Sequence, residues 1–86
     1  MTFHWTPRFQ RAYHDLSSEH QAVVEEHLRM LEKSWRHPSL RAKKLPGAPK
    51  IWYIRVSRDI RLTFEPVRTE IFLRNVGRHD EVLRSP

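Results

Sequence analysis

Apolar positions recur at helical spacing in the first half of the chain and alternate along its second half. Thr2 to Trp5 reads as a short opening strand. Thr6 then offers an N-cap with Pro7 in the first helical position. Phe9, Ala12, Tyr13 and Leu16 follow at i, i+3, i+4 and i+7, one face of a short helix. Ser18 with Gln21 forms a capping-box pattern that opens a second helix. Val24, Leu28, Leu31 and Trp35 make its apolar stripe, Glu25, Glu26, Arg29, Glu32 and Lys33 lie elsewhere, and Pro38 is the expected stop. A helical hairpin with one apolar face per helix must pack on another layer.

Residues 36–50, RHPSLRAKKLPGAPK, hold three of the six prolines and one of the two glycines, and read as a loop with a short turn or strand at Leu40 to Leu45. The period then becomes two. Trp52, Ile54 and Val56 share one face, with Ile51, Tyr53, Arg55 and Ser57 on the other. After a tight turn at Arg58-Asp59, Ile60, Leu62 and Phe64 alternate with Arg61, Thr63 and Glu65. Pro66 to Thr69 turns the chain again. Glu70 to Val76 is the last strand, with Ile71 and Leu73 opposite Phe72 and Arg74 and with both faces partly apolar. The predicted order is β-α-α-β-β-β, an α+β domain spanning 1–86 in which two helices cover one face of an antiparallel sheet.

Composition adds limits. A chain of 86 residues accommodates one core, and its nine aromatics carry much of it, because the apolar share is only 38% and the charged share 30%. Cysteine is absent, which removes disulfides and thiolate metal sites. No apolar run approaches the ~20 residues that span a bilayer, and MTFHWTPRF lacks the features of a signal peptide. The expectation is a cytoplasmic protein that does not enter a membrane and needs no cofactor. Its net charge of +6 favours an anionic partner.

The positive charge is not spread evenly. Between Glu32 and Asp59 there is no acid, whereas eight bases fall there: Lys33, Arg36, Arg41, Lys43, Lys44, Lys50, Arg55 and Arg58. With the apolar side of the sheet under the helices, Tyr53, Arg55, Arg61, Thr63, Phe72 and Arg74 share the opposite face. Guanidinium forks bind phosphate oxygens and exposed rings stack on bases, so this face suits RNA. The competing reading is a solvated basic surface with incidental aromatics. Lys43 and Lys44 fit both readings, as phosphate clamps or as ordinary loop lysines.

Among the six histidines only His79 falls at a strand end beside the arginine-rich face, where an imidazole could transfer a proton near neutral pH. Asp80 follows it directly, and adjacent residues seldom point the same way. His20 and His27 are seven apart with no paired acids, so no metal site is expected. There is no GxGxxG, P-loop or GxSxG pattern and no carboxylate cluster suited to magnesium, so cutting of RNA would have to proceed without a metal.

At SLRAKKLPG, IWYIRVSRDIRLTFE and NVGRHDEVL the sequence resembles the RelE/ParE toxin superfamily of bacterial toxin–antitoxin systems, over nearly its whole length. It looks closest to the RelE-like branch that ends in V-G-H-H-D-E. That resemblance implies helices on one side of a curved sheet and a site on the other. It also implies ribosome-dependent cleavage of mRNA and a cognate antitoxin that covers the basic surface in a hetero-oligomer. Carried over by position, the family's catalytic residues fall on Arg55, Arg61 and His79, and Lys43 and Lys44 lie in the matching basic loop as RNA contacts; Tyr53, Arg74 and Arg78, on or beside the arginine-rich face, are read as further RNA contacts. Two positions depart from the pattern: Tyr53 stands where a lysine is frequent, and Leu83 where a tyrosine is common. The general base stays unassigned. The alternatives are a ParE-like toxin that blocks DNA gyrase without nuclease chemistry, and a weakened homologue that only binds its antitoxin.

Overall fold

The structure, a computed structural model, describes residues 1–86. Its elements are β1 (Thr2–Trp5), α1 (Pro7–His14), α2 (Ser18–Lys33), a 3₁₀ turn (Pro38–Leu40), β2 (Lys43–Leu45), β3 (Ala48–Arg55), β4 (Ile60–Val67), β5 (Glu70–Arg78) and α3 (His79–Arg84). The expected α+β order is therefore present, β2 being the short strand expected within Leu40 to Leu45, and α3 is added. No helix is long and apolar enough to cross a membrane.

Thr6 starts α1 and also fastens it to the sheet. Its hydroxyl accepts from the Phe9 N–H at 3.2 Å and donates to the Leu73 carbonyl at 2.7 Å. The second cap lies one residue earlier than the capping-box pattern indicates. Ser17, not Ser18, accepts from the His20 N–H, and the Gln21 amide instead donates to the Tyr13 carbonyl of the preceding helix. Helix α2 ends at Lys33, well before Pro38, with Ser34 as its C-cap in extended conformation. Trp35 is buried all the same, edge-on to Trp52 at 4.7 Å and to Phe64 at 5.8 Å.

The sheet order is β1-β5-β4-β3-β2. Neighbours from β2 to β5 are antiparallel, but β1 pairs parallel with β5, from Thr2 opposite Glu70 to Trp5 opposite Leu73. The expected antiparallel sheet is thus four-stranded and is extended at one edge by a parallel strand. Alternation reports which residues face inward and carries no information on strand direction. The helical pair carries the chain from one edge of the sheet to the other, and three successive turns then bring β5 back beside β1.

One core lies between helices and sheet. Phe9, Val24, Leu28 and Leu31 meet Ile54, Leu62, Phe64, Ile71, Leu73 and Val76 there. The spacing in β5 shifts between Leu73 and Val76 because the strand carries a bulge. Thr63 pairs with Asn75 but Phe64 pairs with Leu73, so Arg74 is the additional residue. The bulge explains why Val76 is inward although it is out of phase with Ile71 and Leu73.

The opposite face is not fully open. Helix α3 packs on β4 and β5, Val82 is buried outside the main core, and Thr63 is buried. The Thr63 hydroxyl donates to the Pro86 carbonyl at 3.2 Å, as does Arg74 Nε at 3.2 Å, and the Asn75 amide donates to the Ser85 carbonyl at 2.9 Å. Half of the expected basic face is thus covered. The uncovered half is where the candidate site lies.

Candidate active site

The turn between β3 and β4 holds the site. Arg55 and Arg61 are cross-strand partners at its base, on the sheet face away from the core. Two guanidiniums on one rung repel each other, and local contacts hold them in place. Arg61 Nη1 donates to the carbonyls of Ser57, Arg58 and Ile60 at 3.0, 3.2 and 3.3 Å. Arg55 Nε reaches the same Ser57 carbonyl at 3.4 Å, the weakest of these bonds. The His79 N–H donates to the Asp59 carbonyl at 2.8 Å, which ties the first residue of α3 to that turn. The three residues assigned to chemistry thus take their positions from one segment, 57–60.

Above this rung lies an open cleft of about 360 Å³, lined among others by Arg41, Lys43, Tyr53, Arg55, Arg61 and His79. No carboxylate lines it. Arg55 and His79 are exposed, whereas Tyr53 and Arg61 are half-buried. Because Nη1 of Arg61 is occupied by the turn, Nε and Nη2 are the groups left to meet an anion. Gly77 pairs with Arg61 from the β5 side and adds no side chain over it. The His79 ring has no hydrogen bond to Asp80, so the neighbouring acid does not orient it. Arg41 was not singled out in the sequence beyond its place in the basic loop. It enters the cleft because the chain turns there in left-handed conformation, φ 49° and ψ 44°, between the 3₁₀ turn and β2.

The other expected RNA contacts lie apart from this cleft. Lys44 pairs with Trp52, and Lys43 with Tyr53, so the two lysines point to opposite faces of the sheet. Lys44 Nζ stands 5.6 Å from the Trp52 ring. Arg78 belongs to an adjoining pocket of about 270 Å³ that it shares with Asp59, Asp80, Arg61 and His79. Arg61 and His79 therefore form the wall between an acid-free cleft and one of mixed charge. Arg74 faces Glu65 at 3.7 Å and lies with Arg8 and Arg11 in a pocket of about 360 Å³ at the start of α1. Burial, then the charges of Arg74 and Arg11, hold the Arg8 guanidinium below its ordinary value. Phe72 is no free stacking surface, because His4 lies on it at 4.4 Å with planes 12° apart.

This architecture has close counterparts among solved structures. E. coli RelE in the intact RelBE toxin–antitoxin complex matches with a TM-score of 0.75 and 21% identity, covering 91% of this chain and 95% of that one. The YoeB/ParE toxin from Agrobacterium tumefaciens matches at 0.77 and 13% identity, over 92% and 99% of the two chains. YafQ from E. coli matches at 0.78 and 9% identity, over 93% and 94%. No protein-family model and no curated protein matches the chain. The chain has the fold of the RelE/ParE toxin superfamily.

Proposed function

Starting from that fold, we propose that the protein is the toxin of a type II toxin–antitoxin pair and acts as an endoribonuclease on mRNA engaged by the ribosome. The observation that carries this reading is the meeting of Arg55, Arg61 and His79 at one cation-lined cleft. A ribonuclease requires such convergence, whereas a toxin that blocks gyrase by surface contact does not.

The chemistry is in-line attack of a ribose 2′-oxygen on its own 3′-phosphorus. A base removes the 2′-proton, the P–O5′ bond breaks, and the products are a 2′,3′-cyclic phosphate and a free 5′-hydroxyl. Arg55 and Arg61 hold the phosphate and offset the charge that grows on the phosphorane. The imidazolium of His79 delivers the proton to the departing 5′-oxygen. Tyr53 lines the same cleft and is a candidate to accept the 2′-proton. Lys43 and Arg41 steer flanking phosphates. Leu83 leaves no hydroxyl at its position in α3, so no step passes through it.

The inhibitor is a cognate antitoxin whose acidic or amphipathic segment covers the cleft and neutralises it in a hetero-oligomer. E. coli RelBE is itself a toxin–antitoxin complex. The test is a substrate with 2′-deoxyribose at the cleaved nucleotide. Cutting should vanish while binding stays almost unchanged, and cleavage of the deoxy substrate would exclude this route. Mapping mRNA 5′ ends after induction separates the nuclease from a gyrase poison, which would damage DNA first.

A further inference from the structure

The cleft does not end at the edge of the sheet. Arg41 lines it and also lines a second cavity of about 480 Å³ on the opposite, helical side. That second cavity is walled by Trp35, Arg36, His37, Lys44 and Trp52. The two spaces lie on opposite sides of β2, the last strand of the sheet, as the alternation of Lys43 and Lys44 along it requires. β2 is the edge strand and only three residues long, about 10 Å, so an extended polymer can cross over that edge beside Arg41. Beyond the second cavity the same tryptophans continue into a space of about 700 Å³ flanked by Lys50 and Arg68. Its only carboxylate is Glu65, which faces Arg74.

We propose that this groove is a second binding surface for the substrate, taking the single-stranded RNA that flanks the cleaved phosphodiester, with Arg41 as the corner. The proposal rests on the ribonuclease reading for the cleft and adds the path of the strand. Its charge suits a polyanion. Its rings suit bases: Arg36 lies 4.7 Å over the Trp35 ring and Lys44 lies over that of Trp52, so each indole already carries a cation on its face. A guanidinium over an indole is a platform on which a base can stack in turn. Arg36, Arg41 and Lys44 are all exposed, so their removal leaves the core intact.

The test uses the full chain with Trp5→Phe, which leaves Trp35 and Trp52 as its only indoles. The ligands are uncleavable 2′-O-methyl strands, a dinucleotide and a dodecanucleotide. The dodecanucleotide should quench the indole emission and bind more tightly than the dinucleotide. In Arg36→Ala/Lys44→Ala the dodecanucleotide should lose about tenfold or more in affinity, and the slope of log affinity against log salt should fall by about 1.4, about 0.7 for each cation removed from a single strand. Binding of the dinucleotide should stay the same. Equal affinity of the two strands, or no change in salt slope, overturns the proposal even if cleavage persists. Stronger quenching by polyglutamate than by the dodecanucleotide also overturns it, and makes the groove a protein-docking surface. Length-dependent quenching without cleavage of a 2′-hydroxyl substrate supports the groove and removes the nuclease reading instead.

Discussion

His79→Gln separates chemistry from folding in this molecule. The ring is exposed and has no hydrogen bond within the chain; only its backbone N–H is used, on the Asp59 carbonyl at 2.8 Å. Glutamine keeps that N–H, keeps side-chain polarity and length, and cannot carry a proton between oxygens. A surface change of this kind costs no more than about 0.5 kcal/mol of stability. In a domain of this size that moves Tm by less than about 4 °C. Loss of a general acid, by contrast, lowers the rate by about 10²- to 10⁴-fold. That loss is about 2.7–5.4 kcal/mol on the barrier, at least five times the stability effect. The assay is single-turnover cleavage of a defined mRNA on programmed ribosomes, with 5′ ends mapped by primer extension and Tm followed by circular dichroism. A rate within about tenfold of wild type, at unchanged Tm, would refute a proton-transfer role for the imidazole.

Arg61→Lys keeps the charge but loses the planar group that holds three carbonyls through Nη1 while leaving Nε and Nη2 for an anion. Cleavage should fall by about tenfold or more and stability by about 1 kcal/mol, measured by urea titration, because turn and site share one side chain. Thr6→Val removes the hydroxyl that both caps α1 and holds Leu73, and should cost about 1–2 kcal/mol in the same titration. Gly47→Ala tests the Pro46-Gly47 turn at φ 82°, where nothing lies within 4 Å of an added Cβ. The cost of about 1–2 kcal/mol there is backbone strain alone, and an unchanged Tm would show that the hairpin relaxes.

Periodicity made most of this fold readable, since amphipathic faces are written into residue spacing. Thr6-Pro7 located α1, and the alternation through Trp52-Ile54-Val56 and Ile60-Leu62-Phe64 located the inner face of the sheet. What periodicity does not encode was missed. The direction of β1 is set by connection and not by pattern. Helix α3 is too short for a recurring stripe, and Arg78 before it supplies no side-chain cap. Its one signal was charge order, with Asp80 and Glu81 in the first turn and Arg84 in the last, as the helix dipole favours. At the site, Arg55 and Arg61 were legible as one face of adjacent strands. The part played by residues 57–60, whose carbonyls fix all three groups, was not, because it lies in backbone atoms that no side-chain pattern reports. Lys43 and Lys44 looked equivalent in the loop and are separated only because the segment is a strand.

The additional residue in β5 has a consequence for how this chain tolerates change. Taking Arg74 into the ladder opposite Thr63 would give β4 and β5 unbroken pairing, locally the more regular structure. Every side chain after it would then exchange sides: Val76 would turn outward, and the segment leading to His79 would start from the wrong surface. Perfect pairing that kept Arg74 would dismantle the site, so the irregularity acts as a parity correction that keeps Val76 inward and lets the segment to His79 leave from the cleft side.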